Sequence, residues 1–435
     1  MLETLKNAWS IVEIRKKILF TLFIILVFRI GSVLPVPFVD SAALVEGVTN
    51  AETGKEFFSY LSILTGGGLE YGAVFAMSVT PYINASIILQ LLTVAIPYLE
   101  RLSKEGEEGR KKIAQITRYV AVILGLVQGT AFFFYLKNSG FLLPSATSGT
   151  GASIFAAIVM IAAFTAGSAL VMWLGEQIDV KGIGNGISMI LFAGIISRAP
   201  NAAASLWGYV QSGKWVAVIV ILVIFLAVIA FIVWMTNAER RVPVQYAKRV
   251  VGRKQYGGQN SHIPFKVNMS GVMPIIFASS ILMLPTMILS FTVNPTSTKE
   301  LSSFQKVLGL FSTQGLLYAV LYFVMIIAFA YFYAQIQYNP VEIANNIRKN
   351  GGSVPGIRPG KPTSDFFAKI LSRITLLGAL FLSVIAILPI IIGNIGAIIV
   401  SLGGTSVLIM VGVALDTVQN LESQMMMRHY KGFLD

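Results

Sequence analysis

Gly182-Ile183-Gly184-Asn185-Gly186 is the stretch of this chain nearest to a chemical motif, because a glycine-rich turn can present backbone N–H groups to a phosphate. It lacks the preceding strand and the lysine that a phosphate cradle uses, and it reads instead as a tight turn into an apolar helix. Other reactive groups are equally sparse. There is no Cys and there are only two His, His262 and His429, which removes thiolate chemistry, disulfides and any His/Cys metal cluster. No HExxH, GxSxG, GxGD or GxxxxGK[ST] run occurs, so metalloprotease, serine hydrolase, intramembrane aspartyl protease and NTPase classes lose their usual signatures. A charge inside an apolar span costs about 2.5–3.5 kcal/mol on insertion scales and marks a function such as ion coupling. Only Arg29 is clearly of this kind, and its place near the outer end of its segment lets it snorkel. No coupling carboxylate and no cofactor site are expected. What is left to act is a path of aliphatic and small polar groups, with Asn84, Ser86 and Gln90 on one apolar stretch and Ser279 and Ser280 on another. Such a path suits a large and chemically varied substrate.

The elements that carry these residues are membrane helices. Hydrophobic residues make up 55% of the chain and charged residues 12%, against about 25% charged in soluble domains. A helix needs about 20 apolar residues to cross the hydrocarbon layer. Ten segments qualify: Ile18 to Leu34, Val74 to Pro97, Tyr119 to Leu136, Ile154 to Leu174, Ile183 to Ala199, Trp215 to Met235, Val272 to Phe291, Leu316 to Ile336, Ile374 to about Ile392, and about Ile395 to Leu415. The last two form one uncharged run, divided here at the Gly393-Asn394-Ile395-Gly396 turn. No small-residue cleavage site follows the first run, so it is expected to be a retained span. Most of the 33 Lys and Arg fall at the N-terminus, near 98–118, 176–181, 237–266 and 339–373, and in the C-terminal tail. The opposite loops carry Lys55, Lys137, Arg198, Lys214, Lys299 and Lys306. Basic loops stay inside, so both termini are expected in the cytoplasm, and the net charge of +13 is mostly this asymmetry plus attraction to anionic lipid.

Two of the spans share a pattern. Pro81 to Leu91 reads PYINASIILQL and Pro274 to Leu284 reads PIIFASSILML, with Pro, Ile83/Ile276, Ala85/Ala278, Ser86/Ser279, Ile88/Ile281, Leu89/Leu282 and Leu91/Leu284 in register. Ten spans run these two stretches in opposite directions, which is inverted-repeat architecture with a polar path between the halves. The expected fold is therefore an all-α polytopic membrane protein with ten helices in two inverted five-helix halves, residues 1–200 and 201–435.

Three connecting segments exceed what a connector needs. The outer segment Pro35 to Gly72 contains the apolar run Phe57 to Leu64, too short to span, followed by Gly66-Gly67-Gly68. It could fold back between the halves as a movable stopper or lie as a plain re-entrant helix. On the basic side, Asn237 to Asn268 carries Arg240, Arg241, Lys248, Arg249, Arg253, Lys254 and Lys266. The segment Asn339 to Asp365 holds Arg358 between Pro355 and Pro359, with Gly360-Lys361-Pro362 after it, in a Pro/Gly-dense stretch that predicts an irregular loop able to dock a partner.

Several motifs resemble one family. GEEGRKK (106–112), MWLGEQI (172–178), KGIGNGIS (181–188), HIPFKVNMSGVMPIIFASS (262–280), PGIRPGKPT (355–363) and GGTSVLIMVGVALD (403–416) resemble the SecY family, channel subunits of the bacterial Sec protein translocase, and the resemblance runs essentially end to end. It implies a central hourglass pore whose waist is a ring of aliphatic side chains: Val79, Ile83, Ile187, Leu191, Ile276 and Ile409, with Val79 and Leu191 in place of the commoner Ile. It implies a plug over about 55–70, with Phe57, Phe58, Tyr60, Leu61, Leu64, Gly66, Gly67 and Gly68. The second and seventh helices become a lateral gate bearing Asn84, Ser86, Gln90, Ser279 and Ser280. Arg240, Arg241, Arg249, Arg253, Lys254, Arg358 and Lys361 become docking residues for the SecA ATPase motor and the ribosome. Val341, after the Asn-Pro that opens the second basic loop, departs from the Arg or Glu often found there.

The function implied is passage of unfolded secretory polypeptides across the cytoplasmic membrane and lateral release of transmembrane segments, by a chain that is not itself an enzyme and that partners SecE and SecG. The inverted repeat alone would also fit a secondary transporter of small solutes; the missing coupling carboxylate separates the two.

Overall fold

The computed structural model describes residues 8–50, 62, 65–246, 249–251, 254–256, 260–292, 315–395 and 404–431. From the N-terminus, α1 (Val12–Val33) leads into the short helix α2 (Ser41–Asn50), which composition had not marked. A series of turns over 65–79 replaces the start expected for the second span, and α3 (Thr80–Ala95) begins only at Thr80, with Pro81 in its first turn, where the missing N–H of proline falls on a position that has no partner anyway. Pro97 ends α3, since the steric clash of a proline ring pushes the residue before it, Ile96, out of the helical region to φ −106°, ψ 115°. The chain turns through 101° into α4 (Pro97–Lys104), which buries Leu99 and Leu102 and exposes Glu100 and Lys104.

Then follow α5 (Glu107–Asn138), α6 (Thr150–Lys181), α7 (Gly186–Ile196), α8 (Ala199–Gln211) and α9 (Trp215–Asn237). After the basic connection come α10 (Met273–Thr292), α11 (Leu316–Gln337), α12 (Pro340–Lys349), α13 (Lys361–Ile395) and α14 (Gly404–Lys431). Among the described residues six helices are long and apolar enough to cross a membrane, and seven if the bent α3–α4 pair is one span. The other three expected spans coincide with α1, α10 and α14, which are helical. In α1 the apolar stretch is bounded by Lys16 and Lys17 and carries Arg29.

The helix α13 runs through Gly393 and Asn394 to Ile395, so the described part of the expected turn between the last two spans is helical, and Gly396 lies outside the described residues. One glycine costs a helix only about 1 kcal/mol relative to alanine, which packing readily offsets.

The chain's apolar faces pack in separate clusters. One, at the centre, draws on α1, α3, α6, α7, α10 and α14. A second joins α9, α10, α11, α13 and α14 to Ile87 of α3. A third gathers the turns around Leu69 and Met77 with Phe132 of α5 and Phe164 of α6. Helices of the first half contact those of the second chiefly where α7 meets α14 and where α3 and α5 meet α10.

The basic connections fold as well. Strands β1 (Glu239–Tyr246) and β4 (Asn260–Lys266) pair antiparallel with Glu239 opposite Lys266, β2 (Arg249–Val251) pairs with β3 (Lys254–Tyr256), and β5 (Gly352–Ser353) adds to the other edge of β1. The period-two pattern of β1 buries Val242 and Val244 and exposes Arg241, Pro243 and Gln245. The segment 339–365, expected to be irregular, contains α12: Asn339 accepts a hydrogen bond from the Val341 N–H at 3.1 Å, and Pro340 occupies the first helical position. Beyond Lys349 the irregular backbone runs over 350–360, apart from the two residues of β5. Because the Asn339 cap engages the backbone of Val341, the unusual side chain there, which is exposed, takes no part in it.

Candidate pore, gate and docking surfaces

The centre of the molecule is set by one close helix approach. A Cβ on Gly186 would fall 1.9 Å from the Gly175 carbonyl oxygen, so α6 and α7 touch backbone to backbone at a point only glycine permits. Gly184 turns the chain with φ +74°, Asn185 caps α7 by accepting from the Ser188 N–H at 3.0 Å, and the Gly186 N–H donates to Asp179 Oδ1 at 2.7 Å. The 182–186 stretch is thus a tight turn that fixes the start of α7, and its Gly186 N–H is already used.

That fixed helix carries Ile187 and Leu191. Both belong to the central cluster, together with Val79 just ahead of α3, Ile83 on α3, Ile276 on α10 and Ile409 on α14. Val79, Leu191 and Ile409 are almost fully buried; Ile83, Ile187 and Ile276 pack against them while partly exposed. The structure therefore brings all six expected ring residues, from four helices, to one place. Such groups offer an ion nothing in exchange for its hydration shell. Between the first turn of α7 and α14 lies a cavity of about 290 Å³ lined by Asn185, Ser188, Thr417, Gln419, Asn420 and the carboxyl of Asp416 among others.

The expected gate helices touch. Ile87 of α3 packs in one cluster with Ile275, Phe277, Ala278 and Leu282 of α10. Asn84, Ser86 and Gln90 are half-buried on α3; Ser279 is buried on α10, its hydroxyl donating to the Ile276 carbonyl at 3.0 Å, and Ser280 is half-buried.

Of the expected plug residues, Phe57, Phe58, Tyr60, Leu61 and Leu64 lie outside the described residues. Gly66, Gly67 and Gly68 lie in tight turns, with φ of +65° at Gly66 and +93° at Gly67. Here Arg29, expected to snorkel, also finds a partner. Its Nη1 donates to the Gly66 carbonyl oxygen at 2.8 Å, because a carbonyl within reach stabilises the guanidinium where its helix already places it. Arg198, read in the sequence only as one of the few outer basic residues, pairs with Glu70 at 2.7 Å and donates to Ser62 Oγ. The opposite charges lay on the same side of the membrane in the sequence, but nothing there chose Glu70 over the other outer carboxylates.

Arg240 and Arg241 stand exposed on β1, with Arg241 Nε on Glu239 Oε1 at 2.6 Å. Arg249 lies on β2 and Lys254 on β3, and Arg253 falls outside the described residues. Arg358 lies in the loop after β5 and its carbonyl accepts from Thr363 Oγ1 at 2.8 Å; Lys361 opens α13. The pairing of Gln245 with Ser353 and of Tyr246 with Gly352 joins the two basic connections into one body. Its core holds Val242, Val244, Phe265, Ile347, Val354 and Phe367, with Phe265 and Phe367 ring centroids 5.7 Å apart. In the sequence the single cue to this union is the alternation of Val242 and Val244 between polar neighbours.

Long apolar helices gathered around an aliphatic centre define an all-α, multi-pass membrane protein. Comparison makes it specific: the SecY family model matches residues 73–418, and the chain belongs to that family. It is 42% identical over 449 residues to the protein translocase subunit SecY of Streptomyces coelicolor, and 43% identical over 443 residues to that of Mycobacterium bovis, in each case over 100% of both chains. Among solved structures it is similar to one described as the structure of a protein conducting channel, with TM-score 0.63, 17% identity and coverage of 94% of this chain and 92% of that one. Sec61 from a canine ribosome–channel complex gives TM-score 0.61 at 17% identity over 94% and 92%. At such identities these two likenesses bear on the fold.

Proposed function

We propose that this chain is a protein-conducting channel of the cytoplasmic membrane, with both termini cytoplasmic and its halves, 1–200 and 201–435, enclosing the path. The observation that carries the reading is the convergence of Val79, Ile83, Ile187, Leu191, Ile276 and Ile409 in one aliphatic cluster. A ring of such side chains blocks ions by excluding water, yet widens around any passing side chain without binding it. Lateral release of an apolar segment goes between α3 and α10, whose contact through Ile87 and Ala278 is apolar and whose half-buried Asn84, Ser86, Gln90 and Ser280, with buried Ser279, would hold a closed gate only weakly. The segment about 55–70 acts as the plug. The β-sheet body presents Arg240, Arg241, Arg249, Arg253, Lys254, Arg358 and Lys361 to a SecA motor or to the ribosome, whose RNA phosphates suit the arginines and lysines. SecE and SecG complete the complex. Its energy comes from those partners, and the chain itself is no enzyme. A secondary transporter of solutes gains no support, since Arg29, the clear intramembrane charge, is engaged by the Gly66 carbonyl.

A photo-crosslinking residue at Ile276 tests this during motor-driven export into vesicles. A crosslink to a stalled secretory chain that depends on its signal sequence is expected. Its absence at Ile276 and, in parallel, at Ile83 and Ile409 would make the cluster plain packing.

A further inference from the structure

We infer that Arg29 and Arg198 are positioning residues: together they clasp the 65–70 turn and Ser62 between α1 and the end of α7, seat that turn beside the aliphatic ring, and must let go when a polypeptide enters. The inference rests on the channel reading and names the contacts that hold the pore shut.

Three observations carry it. First, the turn is held from two sides by separate helical elements. Arg29 reaches from α1 to the Gly66 carbonyl at 2.8 Å, while Arg198, just beyond α7, engages Glu70 Oε1 at 2.7 Å and Ser62 Oγ. Second, the seat is close to the ring. A Cβ on Gly66 would come within 3.0 Å of the Gly194 Cα, and Ser197 Oγ lies 3.5 Å from the Gly66 carbonyl oxygen. At about 1.5 Å rise per residue, Gly194 is only about 4.5 Å along α7 from Leu191. Third, the charges are unevenly matched. Among the described residues two guanidiniums share this turn with one carboxylate, and Arg198 Nε is buried there without a partner. The side chains of Arg198 and Glu70 are 16% and 24% exposed, so their attraction is only partly screened.

A clasp built in this way is specific but incomplete. Its ion pair gains from partial burial, and the unmatched N–H takes back some of that gain, which leaves release within reach of an arriving chain. Removing the Glu70 carboxylate takes the ion-pair partner from Arg198 and leaves two guanidiniums beside the turn, so the seated state loses its hold and the pore opens without substrate.

The test is the resting ion conductance of the purified translocase complex in planar bilayers, without substrate. Glu70→Gln is expected to raise it about tenfold, the scale of a modest shift between two states. Arg29→Gln, which loses the second point of the clasp, should move it in the same direction. Arg198→Glu combined with Glu70→Arg restores the pair with its charges exchanged and is expected to return conductance to within about twofold of the starting value. Conductance unchanged in Glu70→Gln, or a double exchange as leaky as Glu70→Gln, would overturn the clasp. Should Glu70→Gln not assemble, Glu70→Asp keeps the charge on a shorter arm and is expected to give a smaller rise; its absence would count equally against the proposal. The two ideas fail differently: without the Ile276 crosslink in the unaltered protein the channel reading falls, whereas with that crosslink and silent variants only the clasp does.

Discussion

Phe367→Ala separates the docking body from the rest of the molecule. Phe367 is fully buried, packs on Phe265 with centroids 5.7 Å apart, and lies among Val242, Val244, Ile347 and Val354. Truncating a buried Phe costs about 3–5 kcal/mol when the site cannot collapse, and this core is small. At 1.4 kcal/mol per factor of ten, local opening becomes roughly a hundredfold to a few thousandfold more frequent. Amide hydrogen exchange read by mass spectrometry measures it directly: the β1–β4 amides between Glu239 and Lys266 should exchange faster by that factor. Amides of α7 near Leu191 should keep their rates, because the central cluster shares no residue with the docking core. Equal acceleration in both places would show one cooperative unit and refute the separation. Unchanged exchange in the sheet would show that the packing of Phe367 is not what holds it, and would leave the strand ladder itself as the source of its order.

Other outcomes follow from the same geometry. Glycine at both Ile83 and Ile276 should raise resting conductance in bilayers by widening the waist, and unaltered conductance would remove the ring assignment. Arg358→Glu should abolish motor-driven export while the complex purifies intact, since Arg358 sits in a surface loop outside the docking core; normal export would move the coupling residue elsewhere. Gly186→Ala must push α6 and α7 apart, because its Cβ would lie 1.9 Å from the Gly175 carbonyl oxygen, and a loss of roughly 1–3 kcal/mol as for overpacked cores should lower the Tm of the complex. An unchanged Tm would mean that the helices yield freely there.

Much of this was legible in the chain. Helices were, because twenty apolar residues in a row have few other uses, and so were the six candidate ring residues, because motif matches singled out each of them. The meeting of the ring's four helices was not legible, since it depends on which faces turn inward and the apolar pattern runs right round most spans. The partner of Arg29 was hidden for a related reason: the carbonyl that accepts from it belongs to Gly66, distant in sequence. The joined docking loops stayed hidden because strand pairing is non-local. Nothing in Gly352-Ser353 signals that it will extend a sheet whose next strand begins at Glu239.

The glycine contact between α6 and α7 divides labour around the waist. With Gly186 against Gly175 and the helix start fixed by Asn185 and Asp179, Ile187 and Leu191 stand on a doorpost. Ile276 stands on α10, which follows a run of bends with Gly271 at φ +59° and contains Pro285. On the channel reading proposed above, a pore so hinged would open as a leaf swinging from a fixed jamb rather than as an iris. Its aperture under load would then be an eccentric slot, with a traversing chain rubbing along α7 while α10 comes and goes.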